Sequence, residues 1–276
     1  MNYRHSFHAG NSADVVKHSL LIALVRALQQ KPGALTLIDT HAGCGLYDLG
    51  GEDAQRTGES THGVLRAFAD PSPSLNDYRG VVQAVNVGAE PHFYPGSPRV
   101  LAQLLRPQDV LILNEKHPDD AYTLRGVMRG TSAAVHERDA YELWLAMLPT
   151  RTPRGVVVVD PPYEQLDERD RITATLAAAH RKWAHGVTVI WYPLKDRATH
   201  WRWKEQLRKL GIPKLLVVEH WLYDDDQPGI YNGAGLFIVN PPYAFMQALP
   251  PLLDALRAVL APQGHKGEIT AVWLED

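Results

Sequence analysis

The sequence predicts an α/β fold, a seven-stranded and mainly parallel sheet carrying an inserted helical subdomain, and three observations lead there. Seven short apolar runs read as strands, at Leu35 to Asp39, Val110 to Leu113, Ala133 to His136, Val156 to Val159, Val187 to Trp191, Leu215 to Val218 and Leu236 to Val239. Helical patterns separate them, and strands alternating with helices build a parallel sheet covered on both faces. The third observation is a polar interruption over 48–95, with Gly50-Gly51, Pro71 and Pro73 between two helix-like stretches, Thr61 to Ala69 and Leu75 to Val87.

The first element is a helix over Ala13 to Gln29, where Val15, Val16, Leu20, Leu21, Leu24, Val25 and Leu28 recur at helical spacing. Asn11 and Ser12 are its candidate caps. The strand Leu35 to Asp39 then runs into the loop His41-Ala42-Gly43-Cys44-Gly45. After the interruption, Ser97 as N-cap and Pro98 as first helical residue mark a new helix. Ala140 to Leu148 and Tyr243 to Leu260 read as later helices. The whole chain, 1–276, is expected to form one domain, with 48–95 inserted in it.

Charge sets limits on partners. The 28 Lys and Arg nearly balance 31 Asp and Glu, so any nucleic-acid contact must use a local patch. One cysteine, Cys44, rules out an internal disulfide, and the Met-Asn-Tyr-Arg start lacks the apolar core of a signal peptide. No apolar run is long enough to span a membrane. A cytoplasmic, soluble, monomeric protein with no membrane partner is expected.

The chemistry is concentrated in one loop. Gly155 to Val159 has the composition of a buried parallel strand, and Asp160-Pro161-Pro162-Tyr163 follows it directly. Ligands of open α/β sheets bind outside the carboxyl ends of strands. A carboxylate and a backbone carbonyl suit an aromatic amine, whose lone pair is delocalised and which needs acceptors as its protons gain charge. Pro161 and Pro162 fix their φ angles and remove N–H donors, and Tyr163 offers a face on which a base stacks. Asn240-Pro241-Pro242-Tyr243 repeats the pattern after another strand, without the carboxylate, and reads as a cap at the start of the last helix.

A cofactor pocket is expected at the first strand. Asp39 and the G-x-G of Gly43 and Gly45 let a ligand approach the backbone, while the third glycine of a dinucleotide fingerprint is missing. Glu115, beyond the second strand, suits two ribose hydroxyls, and Asp139, after the third, suits an adenine amine or a helix cap. His5, His8 and His18 lack the companions of a metal site, so no metal is expected. Together these features predict a Rossmann-like, class I S-adenosylmethionine-dependent methyltransferase core.

The run Tyr3 to Asn11 with Asp14 and Lys17-His18, the segment Asp39 to Gly45, Tyr94-Pro95-Gly96-Ser97-Pro98 and Asp160 to Tyr163 closely resemble the RlmJ family of bacterial 23S rRNA adenine-N6 methyltransferases. The resemblance covers nearly the whole chain. It implies S-adenosylmethionine as cofactor and protein-free 23S rRNA as substrate, with the methyl group placed on N6 of a specific adenine. It carries cofactor contacts onto His18, His41, Ser97, Glu115, the pair Asp139-Ala140 and Asp160. It makes Asp160 the catalytic acceptor and places Tyr3 near the target base. Ala140 stands where the family pattern has glycine.

For the RNA itself, Lys195, Arg197, His200, Trp201, Arg202, Trp203, Lys204, Arg208 and Lys209 form a basic run with two tryptophans. That run suits phosphates and bases, and equally suits an amphipathic helix with its tryptophans on the sheet. Arg4 with the N-terminal histidines is a second candidate. Two other functions fit the same residues: a DNA adenine-N6 methyltransferase, and an RNA-binding ribosome assembly factor without turnover. An NAD oxidoreductase has only the sheet and the G-x-G in its favour.

Overall fold

The computed structural model describes residues 4–223, 225–227 and 231–274. In chain order the elements are α1 (Ser12–Gln29), β1 (Leu35–Asp39), β2 (Leu46–Asp48), α2 (Glu52–Thr57), α3 (Val64–Ala69), α4 (Asn76–Gln83), β3 (Phe93–Pro95) and α5 (Ser97–Leu104). There follow β4 (Val110–Asn114), α6 (Pro118–Val127), β5 (Ala134–His136), α7 (Ala140–Ala146), β6 (Arg154–Val159) and α8 (Glu168–Lys182). The last third holds β7 (Val187–Leu194), α9 (Arg197–Arg208), β8 (Leu215–Trp221), β9 (Gly233–Val239), α10 (Tyr243–Leu260) and β10 (Glu268–Trp273).

The main sheet has the order β10-β8-β9-β7-β6-β1-β4-β5. From β7 to β5 all neighbours are parallel, and β9 runs against both β7 and β8. All seven strands read from the sequence are present. The eighth, β10, pairs antiparallel with β8 from Glu268 opposite Trp221 to Trp273 opposite Leu216. It lies on the edge and stays partly exposed along its length, so it lacks the continuous apolar run that marks a buried strand.

Side-chain alternation divides the core between the two faces. Val156, Val158, Val187 and Val189 meet α1, α5 and α10, while Val157, Val159 and Ile190 meet α7, α8 and α9. The Asn11 side chain accepts from the Asp14 amide at the start of α1, as its type predicts. The expected cap at Ser97 is one residue out: Gly96 is the cap, its amide bonding to the Gly45 carbonyl at 3.0 Å, and Ser97 is already helical.

Between β1 and β4 the chain passes through α2, α3 and α4, flanked by β2 and β3. Those two strands pair antiparallel, Leu46 opposite Pro95 and Asp48 opposite Phe93, and so close the excursion at its base. Val64, Ala67, Leu75, Tyr78 and Val82 of the excursion join the α1 side of the core. The excursion therefore shares one apolar interior with the sheet. It also meets the N-terminal segment so closely that Val64 donates to the Gly10 carbonyl at 2.7 Å.

The junction of β1 and β6 positions everything that follows, and Gly155 makes it possible. A Cβ there would lie 2.1 Å from the Thr36 carbonyl oxygen. Gly155→Ala is expected to cost about 2 kcal/mol or more of folding stability by forcing these strands apart. Chemical denaturation measures it, and an unchanged midpoint would contradict the packing.

Candidate active site

Four loops meet at the carboxyl edge of the parallel strands, those that follow β1, β4, β5 and β6. They are stitched by backbone bonds from Thr40 to Val158 (3.0 Å), Ala42 to Asn114 (2.9 Å) and Glu115 to His136 (3.1 Å). Asp39, Glu115 and Asp139 thus lie along one rim, with Asp160 beside Asp39 because β6 adjoins β1. A crevice at this edge is where open α/β sheets bind ligands.

Asp160 is tied to α1. Its Oδ2 accepts from the Lys17 ammonium at 2.6 Å, and Lys17 also meets Asp14 Oδ1 at 2.9 Å. Asp14 Oδ2 in turn accepts from His5 Nε2 and from the Gly10 amide, each at 2.9 Å. The Lys17 side chain is only 6% exposed. Burial works against its charge, yet the carboxylates of Asp14 and Asp160 hold its pKa above the ordinary lysine value. Burial likewise opposes ionisation of Asp14, and His5 and Lys17 hold that carboxyl well below its usual range.

Sequence reasoning gave Lys17 no part of its own. The available signal was Asp14 and Lys17 set three residues apart among Val15, Val16 and Leu20, charges on an otherwise apolar helix. Both are buried. Such charges stay ionised inside a protein only when paired.

Pro161 is buried, and Pro162 and Tyr163 are half-buried. Tyr163 adopts φ +53°, a left-handed conformation uncommon for an aromatic residue, and its hydroxyl donates to the Trp191 carbonyl at 2.6 Å. The ring is therefore fixed from both ends, with Trp191 and Trp203 at centroid distances of 6.0 and 6.3 Å.

The expected cofactor residues gather on the same rim. Gly43, at φ +58°, donates its amide to Glu115 Oε2 at 2.8 Å, and the His117 amide donates to Oε1 at 2.8 Å. Each carboxylate oxygen keeps a second lone pair for a hydroxyl. Burial raises the Glu115 pKa. Asp139 caps α7 through the Tyr141 amide at 3.0 Å and pairs with Lys116 and Arg171. Ala140 is the first residue of α7 and is buried.

His18 Nε2 and Asp39 Oδ2 are among the buried polar atoms that lack a hydrogen-bond partner. His18 bonds through Nδ1 to the Tyr94 hydroxyl at 2.8 Å, while its Nε2 is unpartnered. Asp39 Oδ1 accepts from the His41 amide at 3.2 Å, while Oδ2 has no partner in good hydrogen-bond geometry, although the Ser97 side chain is close enough to favour the ionised carboxylate. Burial lowers the His18 pKa to about 3 and that of His41 to about 4, so both are neutral at physiological pH. Burial pushes Asp39 up to about 7, with the Ser97 side chain and the His41 amide opposing it. Orphaned buried groups of this kind suit a polar ligand that completes their bonds, and the rim's donors and acceptors fit a nucleoside with a charged tail.

Tyr3 lies outside the described residues. Asn240, in the second proline loop, lies at the opposite edge, because Val239 pairs with Thr188 and Leu215 at the starts of their strands. Its amide donates to the carbonyls of Ala184 and Gly186 at 2.8 and 2.9 Å, and the cap of α10 is Pro242. Asn240 therefore pins the turn before β7, a correction to its reading as a cap. Among the described residues no group of three potential metal ligands occurs, and no helix is long and apolar enough to cross a membrane.

A family model described as ribosomal RNA large subunit methyltransferase D, RlmJ, matches residues 32–275. The chain belongs to the RlmJ family. It is 37% identical over 278 residues to the ribosomal RNA large subunit methyltransferase J of Escherichia coli, with 99% of each chain covered. The Haemophilus influenzae protein of the same name is 34% identical, again over 99% of each. A crystal structure from Legionella pneumophila superposes with TM-score 0.86 at 30% identity, covering 96% of this chain and 98% of that one. A probable spermidine synthase from Corynebacterium glutamicum shares the fold alone, with TM-score 0.50 at 11% identity, covering 92% and 74%.

The Asp39 environment makes a pH prediction. Its carboxyl ionises near its ordinary value of 3.8 when unfolded and at about 7 when folded. The stability carried by the neutral form is complete below the lower value and is lost as pH rises through the upper one. Without ligand, the wild-type protein is therefore expected to lose stability relative to Asp39→Asn between pH 4 and 7. Urea unfolding of both across that range checks it, and parallel pH profiles would contradict it.

Proposed function

We propose that the chain transfers the methyl group of S-adenosylmethionine to the exocyclic N6 of an adenine in protein-free 23S rRNA, and that Asp160 is the catalytic acceptor. The named relatives, ribosomal RNA large subunit methyltransferases over their whole length, support the reaction class and the substrate class. The observation that carries the residue assignment is the anchoring of Asp160. One oxygen is committed to Lys17, and among the described residues no hydrogen-bond donor engages the other.

S-adenosylmethionine supplies a methyl group already activated on a sulfonium. Gly43 at its positive φ, Glu115, Asp139, the Ala140 main chain, Ser97, His18 and His41 are the residues that would hold it. Glu115 suits the ribose hydroxyls and Asp139 an adenine amine. The neutral rings of His18 and His41 add no positive charge beside a cationic donor. That is what burial of both imidazoles achieves.

For the base, Tyr163 is a fixed stacking face, worth on the order of 1–3 kcal/mol for an extruded nucleobase. Pro161 and Pro162 bring no N–H to compete for the amine's lone pair. The free Asp160 oxygen accepts a hydrogen bond from the amine, which concentrates electron density on N6 as its bond to carbon forms. The proton then leaves N6 through that carboxylate to water. Lys17 holds the carboxylate in place throughout.

Incubating protein-free 23S rRNA with labelled cofactor and digesting it to nucleosides is expected to give label in N6-methyladenosine. Label in another nucleoside, or transfer only to DNA, would contradict the proposal. Asp160→Asn should lower transfer by at least about 100-fold with cofactor affinity retained. Asn240→Ala should lose stability and keep transfer. The opposite ranking would assign the chemistry to the wrong proline loop.

A further inference from the structure

The helix α9 follows β7, so its first turns rise beside the Asp160 loop, and it divides its two tryptophans between opposite faces. Trp203 is buried with His200 and Leu207, and its indole N–H donates to the Thr173 hydroxyl at 3.0 Å. The Trp203 ring lies 6.3 Å from that of Tyr163, which couples the helix directly to the proposed catalytic loop. Trp201 points the other way and is 62% exposed. Ala198, Trp201, Arg202, Gln206 and Lys209 form one exposed stripe, at the spacing of a single helix face.

The charges on α9 and at its two ends divide in the same manner. Lys204 is neutralised by Glu219, Arg208 by Glu205, and Arg197 by Asp226. Lys195, Arg202 and Lys209 have no ion-pair partner among the described residues. An amphipathic helix needs no tryptophan on its wet face, and an indole left there forgoes the stabilisation that burial would give. An exposed aromatic plane on a helix that also carries cations without an ion-pair partner matches single-stranded nucleic acid, whose bases stack while its phosphates need positive charge.

We infer that the exposed face of α9 is a docking surface for the rRNA strand flanking the target base, with Trp201 stacking on a nucleotide and Lys195, Arg202 and Lys209 meeting phosphates. The inference rests on the rRNA reading above. It resolves the basic run into an inner half that builds the core and an outer half that holds substrate.

The test is direct binding of full-length protein to protein-free 23S rRNA by filter retention, with methyl transfer measured separately on the same preparations. Trp201→Ala is expected to weaken binding about tenfold, the size of one lost stacking contact, and Trp201→Phe to restore most of it. Replacing Lys195, Arg202 and Lys209 together by Gln should reduce the slope of log affinity against log salt by about 2 to 3. Thermal unfolding of all variants should match wild type, because every altered side chain lies on the surface. Wild-type affinity in the Trp201→Ala protein together with an unchanged salt slope in the triple variant would overturn the inference. Weakened binding by variants of a protein that transfers no methyl group would uphold this surface and remove the catalytic reading instead.

Discussion

A lysine ammonium buried between two carboxylates is the constraint on which the site depends. Lys17 joins Asp14 on its own helix to Asp160 at the end of β6, and all three sit where water is largely excluded. A charge so placed is tolerated only with its partners, so removing any one leaves the others unpaired at a cost of several kcal/mol. The N-terminal segment is drawn into the same network through His5 and the Gly10 amide. Helix α1 and the D-P-P-Y loop are thereby held in one fixed relation. On the proposed assignment, a carboxylate that accepts from a weakly basic amine gains from being pre-oriented before the substrate arrives.

Sheet topology places only one of two similar loops at the carboxyl edge of the parallel strands. Both proline loops follow apolar strands, but β6 runs parallel to β1 and β9 runs antiparallel to β7. The first loop therefore emerges beside Asp39 and His41 at the end of β1, and the second emerges at the far edge, where its asparagine satisfies two carbonyls. Direction of the strand, more than the tetrapeptide, decides which edge of the sheet the loop reaches.

Strand positions were legible in the sequence because parallel strands are continuous apolar runs bounded by glycine, proline or charge, as Val156 to Val159 shows. The positions of Asp39 and Glu115 on the rim were legible because each ends or directly follows such a run, and those of Gly43 and Asp139 because they lie in the loops just beyond one. The edge strand β10 was not, since half-exposed residues carry no distinctive pattern. Nor was the hairpin of β2 and β3, whose strands are three residues each and separated by the helical excursion. The Lys17 network escaped for another reason: its members lie 143 residues apart, and only folding brings them together. The inward and outward tryptophans of α9 were equally ambiguous until the helix phase was known.

The central claim is that Lys17 orients the Asp160 carboxylate for the methyl-transfer step itself. Single-turnover transfer from preformed enzyme, cofactor and rRNA complexes, compared between wild type and Lys17→Met, tests it most directly. The account predicts a drop in the single-turnover rate of at least about 100-fold in a variant whose circular dichroism and cofactor affinity remain those of the folded protein. A folded Lys17→Met protein that transfers the methyl group at the wild-type rate would contradict it.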